Sequence, residues 1–293
     1  MTTEPEYCVN FTEPRRLSIE HRTGFRYESS VEASFNEVRM TPEGSHGQTL
    51  LSHELIVSPA SPLDTYVDYW GSRVEFFDLH KDHLELEIIA RSVVETPATR
   101  PDAPGTDWDY LQSDDVRDRW AEYLAFTCYV DDPREDPTRA HLVTELTSLP
   151  DPVIAGRRAI EIVRDHLQYV SGSTLVSTNS FQAWEKGTGV CQDFSHVTMS
   201  LLRAIGIPAR YVSGYLDSLE YHPGQVFEGQ SHAWIEYWVG GWQPADPTND
   251  RGVHADHVVV GRGRDYGDVP PLKGIYSGGA SEGTGVSVQI TQL

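Results

Sequence analysis

A cysteine at a helix start, a histidine opening a strand and an aspartate beyond the next hairpin are the residues of this 293-residue chain best placed to act together. The cysteine is Cys191, in "KGTGVCQDFSHVTMSLLRAIG". The glycine-containing turn delivers it to a first helical turn, where free backbone N–H groups and the helix dipole favour an anion. A thiolate there is a nucleophile, and the same N–H groups stabilise the oxyanion formed when it attacks a carbonyl. Core filler is the alternative for a free cysteine. Such a nucleophile needs a base, and histidine suits that task near neutral pH. His232, in "GQSHAWIEYW", is surrounded by apolar and aromatic residues and shares a strand face with Trp234 and Glu236. A third group should hold the imidazole tautomer. "WQPADPTND" offers Asp246, Asn249 and Asp250, and Asp246, flanked by Ala245 and Pro247, sits in the most ordered part of that stretch.

The hairpin between His232 and Asp246 sets a condition. With Gly240 and Gly241 as a strict two-residue loop, Asp246 would lie opposite Ile235 and point away from His232. A triad therefore requires a longer loop, or a bulge near Pro244, that shifts the register by one residue. Gln182, Trp184 and Gln192 are candidates for a second oxyanion donor. Tyr266 and Asp268, in "GRDYGDVPP", are candidates for lining the cleft beside Asp246, against a purely structural strand end. A zinc site from Cys191, His196, His232 and Asp246 is chemically allowed, but Cys191 and His196 on one helix without a second cysteine pair do not make zinc-site spacing. "VDDPREDPT" lacks the EF-hand pattern and reads as a solvated loop. No metal or cofactor is expected.

The elements that must position these residues fall into two regions. From about Arg16 to Thr96, alternating β-branched and aromatic residues between turn signals predict a set of antiparallel strands in a sandwich-like domain. "ETPATRPDAPGTD" then reads as a linker. Helical spacing follows in "SDDVRDRWAEYLAFT", in "DPVIAGRRAIEIVRDHLQYV" and in the segment opened by Cys191, which Gly206 and Pro208 end. Strands return in "ARYVSGYLD", "SHAWIEYWV", "WQPADPT", "HVVVGRGRDYGDV" and "GVSVQITQL". The order is α+β. The divisions expected are a tail at 1–14, a β-rich domain at 15–97, a linker and helical segment at 98–150, and a core with its C-terminal strands at 151–293.

Composition limits the partners. Forty-four acidic against 23 basic residues leave a formal charge of −21, which repels nucleic acid and anionic membranes. No apolar run is long enough to span a bilayer or to serve as a signal peptide. Cys8, Cys128 and Cys191 are odd in number and far apart, so free thiols in a reducing cytoplasm are expected.

The blocks "GTGVCQDFSHVTMSLLRAIGIPARYVSGY", "SHAWIEYW" and "WQPADPTND" resemble, in order and spacing, the Cys, His and Asp blocks of the transglutaminase-like superfamily. The resemblance covers roughly Asp151 to Asp250. The β-rich region before it and "GRGRDYGDVPPLKGIYSGG" after it are similar to the bacterial subgroup. This implies a papain-like core with Cys191 as nucleophile, His232 as base and acid, and Asp246 as the orienting carboxylate. It implies acyl transfer through a thioester on a peptide or protein substrate, with water or an amine as acceptor. A member that only binds or scaffolds is the alternative of a different class. Arylamine N-acetyltransferases, a related Cys-His-Asp family, carry an arginine-glycine run before the cysteine where this chain has "KGTG".

Overall fold

The computed structural model describes residues 14–44, 46–98, 100, 102–217, 226–229, 231–249 and 252–293; Cys8 and Asp250 lie outside them. The chain opens with six strands, β1 (Arg15–Val31), β2 (Ala33–Val38), β3 (Thr49–Ser58), β4 (Asp64–Val67), β5 (Arg73–Leu79) and β6 (His83–Thr96). Helices α1 (Trp108–Leu111), α2 (Asp114–Arg119), α3 (Ala121–Leu124), α4 (Ala140–Thr147) and α5 (Pro152–His166) follow. Then come β7 (Gln168–Tyr169), α6 (Ser180–Lys186), β8 (Thr188–Gly189) and α7 (Cys191–Ala204). The chain ends with β9 (Ala209–Leu216), β10 (Val226–Gly229), β11 (Ser231–Trp238), β12 (Trp242–Ala245), β13 (His257–Gly263), β14 (Leu272–Ser277) and β15 (Ser281–Gln292).

The architecture is α+β, as the sequence order predicts. One antiparallel sheet runs β10-β15-β1-β6-β3 and a second runs β14-β2-β5-β4. They enclose a core that includes Val38, Phe77, Leu86 and Ile88. The third sheet, β12-β11-β9-β13, carries α7. Leu201, Leu202 and Val197 of that helix pack with Ala233, Ile235 and Tyr237 of β11. Burial of each large apolar side chain contributes about 1.5–3 kcal/mol, so this contact fixes the helix on the sheet.

Two expectations are corrected. The stretch 114–124 is two short helices, because Trp120 leaves helical geometry to set its ring against Trp238 and Trp242. The terminal strands do not close the 151–293 core. β14 pairs with β2, and β15 pairs with β1, so both complete the N-terminal sheets. Val288 and Ile290 bury with Leu17, Ile19, Tyr215 and Val258, which ties the sandwich to the third sheet by an apolar seam. Polar contacts reinforce the seam. The Gln48 side chain both donates to the Val259 carbonyl and accepts its N–H, at 2.9 Å each.

Gly214 on β9 lies beside His232 in the ladder. A Cβ there would sit 2.0 Å from the Val258 carbonyl oxygen and 2.7 Å from the Trp234 ring. Gly214→Ala is therefore expected to force β13 off β9 and cost about 3 kcal/mol, at the upper end of overpacking. Urea unfolding checks this, and an unchanged midpoint would contradict the close approach.

Candidate functional site

Cys191 reaches its place through two local devices. Gly187 ends α6 in the left-handed conformation (φ 68°), which turns the chain into β8. The Asp193 carboxylate then accepts the Val190 N–H at 2.8 Å and the Thr174 hydroxyl at 2.6 Å, anchoring the first turn of α7. Cys191 is half-buried and unpaired in any disulfide.

His232 begins β11 on the face shared with Trp234, whose ring stacks near it at 5.9 Å. The hairpin after β11 pairs Trp238 with Trp242 and Ile235 with Ala245, so its loop holds three residues, Val239 to Gly241. The ladder stays in step through Pro244. The longer loop alone supplies the one-residue shift, and Asp246 comes to the His232 side. The imidazole Nε2 lies 2.8 Å from Asp246 Oδ2, which leaves Nδ1 for the thiol. Cys191 lines the same cleft as this imidazole and interacts with it. Burial opposes the charged imidazole, but the hydrogen bond to Asp246 and the nearby Cys191 outweigh it and push the His232 pKa up to about 10.

Asp246 is almost fully buried and is held from several sides. Its Oδ1 accepts the backbone N–H groups of Thr248 (3.0 Å) and Asn249 (3.3 Å). Oδ2 accepts the Asn249 side-chain amide at 2.8 Å and lies 3.3 Å from His257 Nε2. His257, fully buried at the start of β13, meets Asp256 through Nδ1 at 2.8 Å. Burial disfavours the Asp246 anion, yet the two imidazoles hold its pKa well below the usual carboxylate range. His232, Asp246 and His257 offer donor atoms within 4.8 Å of one another, the grouping among the described residues able to hold a metal ion. Those atoms are already joined by hydrogen bonds, so an ion would compete with the His232–Asp246 contact.

Cys191 and His232 border a cleft of about 470 Å³. Its core-side wall includes Cys191, Gln192, Tyr211 and Tyr266, and His21, Phe25 and Val286 of the N-terminal sheet form the opposite wall. Among the described lining residues none is Asp, Glu, Lys or Arg. Tyr266 is held in the wall by its backbone N–H, which donates to His196 Nε2 at 3.2 Å. His196 is fully buried, and burial with the nearby Arg203 charge lowers its pKa to about 3, so it packs as a neutral ring.

Three sequence candidates fall elsewhere. Gln182 caps α6 by accepting the Asn179 N–H, and Trp184 stacks on His166 at 3.5 Å. Asp268 accepts from the Arg264 backbone and guanidinium, and neither it nor the other two lines the cleft. Gln192 does line it, but its amide donates to the Val176 carbonyl at 2.9 Å. The acidic 131–136 loop is engaged internally, Asp131 and Asp136 by Arg139 and Asp132 by Arg134. The sequence reading missed Tyr211 and His257. Strand alternation puts Tyr211 on the helix side of β9, a usable signal, whereas His257 meets Asp246 only through the β9–β13 pairing.

The His232 shift has a direct test. A raised folded-state pKa means the His232–Asp246 interaction stabilises fully below about pH 6.5 and is lost as pH rises through about 10. The imidazole carbon resonance of His232 should titrate near 10 in wild type. In Asp246→Asn it should fall to or below the ordinary value. A wild-type midpoint near 6.5 would refute the coupling.

Residues 17–95 match the bacterial transglutaminase-like N-terminal region, and residues 140–247 match the transglutaminase-like superfamily core. An uncharacterised Mycobacterium leprae protein is 42% identical over 285 residues, 95% of this chain and 99% of its own. A protein-glutamine gamma-glutamyltransferase from Pseudomonas aeruginosa is 40% identical over 67 residues, 21% of this chain and 10% of that protein. The structure of a proposed cysteine protease from Cytophaga hutchinsonii covers 96% of this chain and 91% of its own, with a TM-score of 0.75 at 20% identity, which establishes the shared fold. The chain belongs to the transglutaminase-like superfamily, with the N-terminal region of its bacterial members.

Proposed function

We propose that the protein is a cysteine-dependent acyl-transfer enzyme that hydrolyses peptide or amide bonds through a thioester. The observation that carries this reading is Cys191 beside His232 at the wall of a cleft, with Asp246 hydrogen-bonded to the imidazole from behind. With its pKa near 10, His232 holds the proton given up by Cys191; the thiolate attacks the carbonyl, and the imidazolium then delivers that proton to the leaving amine. Water, deprotonated by the same imidazole, cleaves the thioester and frees Cys191. Asp246 holds the imidazole in the tautomer that faces the thiol.

For the oxyanion we assign the Cys191 backbone N–H, an orphan of the first helical turn, and the Tyr211 hydroxyl. The Tyr211 ring is buried against His196. Burial, and then the nearby Cys191, raise its pKa well above the usual phenol value, which keeps it a donor. A cleft wall without Asp, Glu, Lys or Arg among its described residues suits a neutral peptide or protein segment. The free thiols Cys128 and Cys191 fit a reducing compartment, and we place the activity in the cytoplasm. Amine transfer is the second reading, favoured by the identity shared with the Pseudomonas glutamyltransferase.

Incubating wild type and Cys191→Ala with a peptide library, with and without a primary amine, separates these outcomes by mass spectrometry. Cleavage or deamidation by wild type alone supports hydrolysis, and amine incorporation supports transfer. Identical products from both proteins would leave a non-catalytic binding or scaffold module. Iodoacetamide at pH 6 should label Cys191 about tenfold faster in wild type than in His232→Ala. Tyr211→Phe should lower kcat roughly 100-fold while leaving that labelling rate unchanged. Equal kcat would remove Tyr211 from the oxyanion site.

A further inference from the structure

A second cavity, of about 400 Å³, opens beside the third sheet and is lined by Arg100, Arg210, Arg262, His46, Glu236 and Trp242, among others. Arg262 grips Glu236 with Nε at 2.8 Å and Nη2 at 3.0 Å, and its Nη1 pairs with Glu43. Arg210 donates to the same Glu236 at 2.7 Å and lies over the Trp242 ring at 4.0 Å. Both carboxylates of the cluster are thus engaged by Arg210 and Arg262.

Arg100, in the segment that joins the sandwich to the helices, brings a third guanidinium to this cavity. Its Nε and Nη2 atoms are buried, with no hydrogen-bond partner among the described residues. Burial disfavours the Arg100 cation and lowers its pKa; the Glu236 charge offsets part of this, while Arg262 works against it. A guanidinium does not shed its proton near neutral pH, so two buried N–H donors call for an external acceptor. Among the described residues, three cations against two carboxylates leave the cluster positive, inside a chain of formal charge −21.

We propose that this cavity binds a small oxyanion, a carboxylate or a phosphate, whose adjacent oxygens take the Arg100 Nε and Nη2 donors. The fork of a guanidinium matches two oxygens of one such group. Arg210 and Arg262 supply the surrounding positive field. Glu236 lies four residues beyond His232 on β11, and Pro244, also in the lining, lies two before Asp246. The bound anion therefore braces β11, which carries His232, and β12, which leads into Asp246. This site is independent of the acyl-transfer reading.

Thermal unfolding of the full chain tests it, in sodium phosphate or sodium acetate against sodium chloride at equal ionic strength. One of the two oxyanions should raise the wild-type midpoint saturably, by about 5 °C at roughly 100-fold excess over Kd, and which of them does so identifies the class. Arg100→Gln should abolish the rise and, in chloride, melt no lower than wild type, because it removes a buried cation whose Nε and Nη2 have no hydrogen-bond partner among the described residues. Arg100→Lys keeps the charge without the fork and should weaken binding about tenfold. No rise beyond chloride in wild type would overturn the proposal. So would an equal rise in Arg100→Gln, or a markedly lower midpoint of that variant in chloride.

Discussion

Three residues between Trp238 and Trp242 decide whether a carboxylate meets the imidazole. Side chains alternate across a ladder with a period of two, so one residue more or fewer in that loop would send Asp246 to the opposite face. The count is enforced from below. Ala233, Ile235 and Tyr237 are buried against the helices, and a slip by one would drive His232 and Glu236 into that core. The hydrophobic packing of β11 thereby fixes the register on which the polar pair depends. Asp246 in turn is a buried charge that is tolerated because backbone amides, an asparagine and two histidines surround it.

The N-terminal sandwich is part of the same construction rather than an appendage. Its central strand β1 packs through Leu17 and Ile19 on Tyr215 and Val258, and farther along offers His21 and Phe25 to the cleft. The last strand of the chain lies along β1 and adds Val286 to that wall. The cleft is therefore formed only when both ends of the sequence and the intervening core have come together. In a strongly acidic protein, that junction keeps Asp, Glu, Lys and Arg out of the cleft wall among the described residues, while cations gather around Glu236 on the same sheet.

Much of this was legible without coordinates. The helix after Cys191, the strand of His232 and the strands of the first hundred residues each carry a local period, and each appears where its pattern predicts. The break at Trp120 was not legible, since the residue continues a helical stripe and only the aromatic cluster with Trp238 and Trp242 pulls it out. Gln182 and Trp184 are near Cys191 in sequence but belong to a helix whose cap and stacking take them from the cleft. Proximity along the chain was a poor guide there, because α6 and the turn after it reverse direction before Cys191.

What the sequence by itself determined is the set of local devices: a thiol at a helix start, a histidine on an amphipathic strand, an aspartate two residues past a proline, and the order of these along the chain. Local periods and turn chemistry encode such features within a few residues. Only the tertiary structure decided that β14 and β15 return to the N-terminal sheets, that Tyr211 and not Gln182 borders the cleft, and that His257 stands behind Asp246. Those outcomes depend on which strand lies beside which. That pairing is set by burial of apolar faces contributed from opposite ends of the chain, for which no short stretch of sequence carries a signal.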